Sequence, residues 1–161
     1  MVCAMLPDAR HDSAPGFFSW FGYPLPIDER MRLIAEAGFT QTSVWLGREE
    51  ACIAEGRPAD LCGAAGRVGL AVECAHAPFE GCNLLWHDED PVAAPVVDSL
   101  LTSVRFCGDP TLPILVAHLS KGHDAPAPTP RGLDRLLDLV EEAARSGVVI
   151  ALENVRSNVA L

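Results

Sequence analysis

The chain has 161 residues, 49% of them hydrophobic, and a mean hydropathy of +0.19, so it holds enough apolar surface for one domain with a core and is not a disordered chain. A formal charge of -10 and a pI of ≈ 4.8 repel phosphate backbones and exclude nucleic acid as the default partner. No window approaches the roughly 18 apolar residues of a membrane-spanning helix, and six cysteines without a C-x-x-C pair read as reduced, partly buried thiols of a cytoplasmic protein.

Residues 1–15 read as a flexible lead-in without a secretory signal, and residues 16–161 as a single domain. Strand and helix signals then alternate. An aromatic run over 17–21 is the first candidate strand. The helix after it has Pro26 at its start, Asp28 and Glu29 in its first turn, and Ile27, Met31 and Ile34 at helical spacing. Gly38 stands at the C′ position, and 42–46 forms the second strand. Gly56 and Pro58 break the next stretch, which leaves a short helix over 59–68. The third strand, 70–75, runs into a long loop from His76 through Trp86 and His87.

A helix over 91–107 carries Val92, Val96, Val97, Leu100, Leu101 and Val104 on one face, and Pro95 shifts its expected start toward Ala94. The fourth strand is 114–117, followed by a Pro-rich loop over 125–130. The helix over 132–146 shows an apolar stripe of Leu133, Leu136, Leu137, Val140 and Ala144, ending at Gly147. The fifth strand is 148–152. The strands recur about every 30 residues, which is the unit length of an eight-unit parallel barrel of about 250 residues.

Three of these apolar runs end on a residue that can bind a metal or move a proton: His76, His118 and Glu153. Parallel α/β folds place their chemistry at the carboxyl ends of strands. Alternation puts Ala151 and Val149 on the inward face with Glu153, Val116 and Ile114 with His118, and Cys74 and Val72 with His76. It directs Glu73 at the helices, which demands a buried partner or a local bulge. Imidazole and carboxylate together suit a divalent ion of hard or borderline character. The plainer alternatives are a solvated strand-end acid for Glu153 and backbone-bonded rim histidines for His76 and His118. His87 and His123 read as loop histidines, Trp45 and Trp86 as sugar-stacking or core aromatics, and Asp88-Glu89-Asp90 as a solvated turn before a helix.

In chain order, Arg32-Leu33-Ile34-Ala35-Glu36-Ala37-Gly38-Phe39, His76-Ala77-Pro78-Phe79, Val116-Ala117-His118-Leu119-Ser120 and Ala151-Leu152-Glu153-Asn154 resemble the xylose-isomerase-like TIM-barrel superfamily. That group holds sugar-phosphate isomerases and epimerases together with the apurinic endonuclease type of repair enzyme. The resemblance covers residues 17–158 and implies a partial (β/α) barrel of about five parallel strands with intervening helices. It implies Glu153 as a catalytic residue and ligand of a divalent metal (Mn, Mg, Co or Zn). It places His76 and His118 as ligands or substrate contacts; in a complete site of this kind Asn154 and Arg156 stand near the substrate and Trp45 is a candidate to stack on it.

Such enzymes draw further ligands from strands six to eight, which lie beyond the residues here, so the chain is expected to be the N-terminal part of one. Ser43 stands where the family often has an acid. The turns His118-Leu119-Ser120 and Glu153-Asn154-Val155-Arg156 differ from the His-Pro-Gly and Glu-Asn-Thr types of the endonuclease branch. With the acidic charge, these differences favour metal-dependent isomerisation or epimerisation of a sugar or sugar phosphate. A non-catalytic partial barrel that binds a partner or dimerises through its open edge, and an endonuclease-like phosphodiesterase, are the alternatives.

Overall fold

Five parallel strands, β1 (Gly16–Phe18), β2 (Gln41–Trp45), β3 (Ala71–His76), β4 (Ile114–Ala117) and β5 (Val149–Leu152), lie side by side in chain order in a computed structural model. The structure describes residues 15–23, 25–47, 58–108 and 112–153. The expected lead-in therefore lies, except for Pro15, outside the described residues. Between the strands run α1 (Ile27–Glu36), α2 (Pro58–Arg67), α3 (Asp90–Cys107) and α4 (Pro130–Arg145). No helix of the described residues is long and apolar enough to cross a membrane.

The return from helix to strand is made by local chemistry. After α1, Gly38 takes φ +90°, its N–H donates to the Ala35 carbonyl and that of Phe39 to Ile34. After α4, Gly147 takes φ +69°, with the same pair of bonds to Ala144 and, from Val148, to Ala143. Both are Schellman closures, in which a residue without Cβ enters the left-handed region at little cost. The helix ends expected at these glycines are thus where they belong.

The core lies between the outer face of the sheet and the helices. Val44, Ala75, Leu115 and Ala117 meet Met31, Ile34, Leu61, Leu100 and Val104 there. The inner face is left half open, as Val149 at 52% and Ile114 at 38% exposure show. Among the described residues, β1 and β5 each have one edge without a strand partner.

Several boundaries differ from expectation. β1 is shorter than 17–21, although the Ser19 N–H still donates to the Ser43 carbonyl. α3 starts at Asp90 rather than near Ala94. Pro91 occupies its first turn, where no N–H is needed, and the helix runs on through Pro95. The loop after β3 contains a 3-10 helix, Cys82–Trp86.

The stripe of α4 is a larger correction. This helix buries Gly132, Arg135, Leu139 and Ala143, while Leu133, Leu137 and Val140 are exposed. Arg135 is decisive, because its guanidinium donates to the Leu85 and His87 carbonyls and pairs with Asp90 at 2.7 Å. These bonds turn α4 toward the 3-10 helix and α3. The Arg131 and Arg135 guanidinium groups hold the Asp90 carboxyl well below the usual carboxylate range.

Strand β3 is irregular at one point. Thr42 pairs with Val72 and Ser43 with Cys74, so Glu73 is an extra residue in a bulge. Val72 accordingly packs on the core, rather than facing inward with Cys74 and His76. Glu73 does not point at the helices. It is exposed, and its Oε2 lies 3.3 Å from where a Cβ on Gly16 would stand, on the inner face of β1.

Candidate functional site

The carboxyl ends of β3, β4 and β5 bring His76, His118 and Glu153 together. His118 Nε2 lies 3.1 Å from Glu153 Oε2 and 3.1 Å from His76 Nε2, and His76 Nε2 is 3.5 Å from the same carboxylate oxygen. They close one end of a cavity of ≈ 410 Å³ that Phe18, Ser43, Cys74 and Val116 also line. These residues share the inner face through strand alternation, with the bulge at Glu73 absorbed below Cys74.

Hydrogen bonding sets the role of each imidazole. His76 Nδ1 lies 2.8 Å from the Ala77 carbonyl, to which only an N–H can bond, so its Nε2 is left with a lone pair. His118 is buried, and its Nδ1 has no hydrogen-bond partner among the described residues. Burial pushes the His118 imidazole below its ordinary value of 6.5, against the opposing pull of Glu153, and so favours the neutral, ligating form.

Three lone-pair atoms thus face one another with at most a single proton to share. Donor atoms around a tetrahedral ion with bonds of about 2.1 Å stand about 3.4 Å apart, and the observed 3.1, 3.1 and 3.5 Å match that spacing. The donor set fits a borderline divalent cation. Glu153 is 56% exposed, and its other oxygen has no partner among the described residues.

No protein-family model matches the chain, and no curated protein does. Solved structures of sugar epimerases match in fold. An L-ribulose 3-epimerase superposes with a TM-score of 0.66 at 20% identity, over 85% of this chain and 48% of that one. A D-allulose 3-epimerase from Methylomonas sp. gives 0.65 at 15% identity, over 85% and 50%. A 3-keto-D-glucoside 4-epimerase from E. coli gives 0.62 at 18% identity, over 85% and 54%. The chain has the fold of a partial (β/α) barrel. The chain spans about half the length of the structures it matches.

The half-barrel treats the other expected site residues unequally. Trp45 stands on β2 in register with His76, yet it is 3% exposed, covered by Trp20 and by Phe79, which stacks on it at 5.5 Å. The phenyl ring that lines the cavity is Phe18, while Phe79 packs between Trp45 and the two histidines. Phe79 stacks on His118 at 5.5 Å and meets His76 edge-on at 6.0 Å. Gly47 permits this packing, since a Cβ there would fall 2.1 Å from the Trp45 indole.

Trp86 is structural. Its indole N–H donates to the Leu119 carbonyl and the Ser120 hydroxyl, both at 2.8 Å. His87 and His123 lie outside the site. Asn154 and Arg156 lie outside the described residues.

Sequence reasoning missed Phe18 and Phe79. Phe79 sits three residues after His76 in a quoted motif, and Phe18 shares its face with Gly16 on β1; both positions were signals. The described thiols of Cys62, Cys74, Cys82 and Cys107 are free, and burial pushes Cys107 up to about 12, out of reactive range.

Proposed function

We propose that this half-barrel carries part of the metal-centred site of an enzyme that isomerises or epimerises a sugar or sugar phosphate. The observation that supports it is the convergence of His76, His118 and Glu153 at three consecutive strand ends, with donor spacing that suits one ion. The fold shared with sugar epimerases adds to it. His76, His118 and Glu153 would hold a divalent ion, which would supply Lewis-acid polarisation of a sugar carbonyl and its neighbouring hydroxyl. Glu153, with one oxygen turned to the imidazoles, keeps its second oxygen to take a proton from the carbon between those groups. His76 is held by Ala77, and Phe79 fixes His118 and shields it from water. Asn154 and Arg156, next along the chain, complete the substrate contacts of this reading, which is that of a cytoplasmic protein.

Titration of the full chain with Co²⁺ tests the site. The expected result is saturable binding of one ion with the visible bands of a nitrogen- and oxygen-ligated centre. Absence of any saturable binding of Co²⁺, Mn²⁺ or Zn²⁺ would remove the metal from this reading.

A second reading rests on the apolar residues at the open side. Leu133, Leu137 and Val140 on α4 and Leu152 on β5 are exposed, as are Phe17 and Phe18 at the opposite edge. Surface of this kind marks an interface, and free parallel edges pair readily. A second copy of the chain, seated on these edges, is the occupant in this reading. Sedimentation velocity should then show a dimer at micromolar concentration, whereas a stable monomer would sink it.

A further inference from the structure

Lys121 is the only lysine in the chain. Among the described residues Arg32, Arg67, Arg131, Arg135 and Arg145 each pair with a carboxylate, but Lys121 makes no ion pair. Its backbone is clamped from both sides. The Lys121 N–H donates to Asn83 Oδ1 at 2.7 Å, and Asn83 Nδ2 donates to the Lys121 carbonyl at 2.9 Å. Its Nζ sits 4.6 Å above the centre of the Phe79 ring, the ring that stacks on His118.

Between Phe79, Asn83, Lys121 and Gly122 lies a cleft of ≈ 270 Å³. The ammonium and the His118 imidazole thus both contact the Phe79 ring, which brings Lys121 close to the candidate metal donors. In a chain of charge -10, an ammonium beside the site without a carboxylate partner among the described residues is suited to attract an anion.

We propose that this cleft is an oxyanion subsite, and that Lys121 selects a sugar bearing a phosphate ester or a carboxylate over a neutral one. The inference rests on the sugar reading above and names its substrate class. In this arrangement the reactive end of the sugar lies at His76, His118 and Glu153, and its anionic substituent reaches the ammonium beside Phe79. A charge-assisted contact of this kind is strong enough to decide between otherwise equal ligands.

The test is calorimetric binding of a pentulose 5-phosphate, the same pentulose without phosphate, and a hexuronate to the full chain, with Co²⁺ binding measured in parallel. At least one anionic sugar should bind about tenfold or more tighter than the neutral pentulose. Lys121→Gln should abolish that preference and leave Co²⁺ affinity unchanged, while Lys121→Arg keeps it. Which anionic sugar is preferred tells phosphate from carboxylate. Equal affinity for all three sugars, no binding of any of them, or a preference that survives in Lys121→Gln overturns the subsite. Anion preference without Co²⁺ binding would overturn the metal reading alone.

Discussion

Replacing Glu153 with glutamine is expected to lower the affinity of the full chain for Co²⁺ or Zn²⁺ by at least about a hundredfold, since losing even an outer-shell partner of a ligand costs about 10–100-fold. The substitution keeps the size of the side chain and removes the only anionic donor of the three. Two imidazoles remain, and neutral nitrogen donors alone bind a hard or borderline ion less well than with a carboxylate. Competition against a chromophoric chelator measures the change. The fold should be untouched, because Glu153 follows the last residue of β5 and is more than half exposed. Affinity equal to that of the parent chain would show that the carboxylate is not a ligand and return Glu153 to the role of a solvated strand-end acid.

The second large effect is structural. Gly132 lies in the first turn of α4, and a Cβ there would stand 2.4 Å from Trp86 Cε3 and 3.1 Å from both the Leu85 carbonyl oxygen and Trp86 Cα. The indole has no room to yield, because its N–H is bonded to Leu119 and Ser120 and the Trp86 carbonyl accepts from the Thr129 hydroxyl. On helix propensity alone Gly132→Ala would stabilise by up to about 1 kcal/mol. Overpacking reverses the sign, and a net loss of about 1–3 kcal/mol is expected, or roughly 3–10 °C in Tm. Gly66→Ala in α2, where nothing lies within 4 Å of the new Cβ, should instead be neutral or stabilising. Thermal unfolding of the two variants side by side decides the matter: similar shifts would mean that Gly132 is not pinned against Trp86.

What could be read from the residues was what is local. Strand β4 falls where its apolar run predicts, and Gly38 and Gly147 close their helices because a C′ glycine acts within one turn. The three strand-end residues meet because alternation and parallel order together fix both face and end. The buried face of α4 was not legible. A stripe of leucines says which residues are apolar, not which face finds a partner. That choice is made by Arg135, through carbonyls at Leu85 and His87 and the carboxylate of Asp90, all more than 40 residues away in sequence. Trp45 shows the same limit. Its type and strand suggested a pocket floor, and only the fold could show Phe79 lying across it.

The bulge in β3 divides that strand into two parts that each keep their own alternation. Val72 before the bulge and Ala75 after it pack on the core, Cys74 and His76 line the cavity, and position 73 does neither. Because two residues there oppose a single position on β2, neither neighbouring part is forced to turn over. Position 73 is therefore a spare slot in the strand. Its occupant can be exchanged, or the slot closed up, while the histidine at the mouth keeps its aim. The half-barrel can thus vary the charge on its inner wall separately from the residues that gather at its rim.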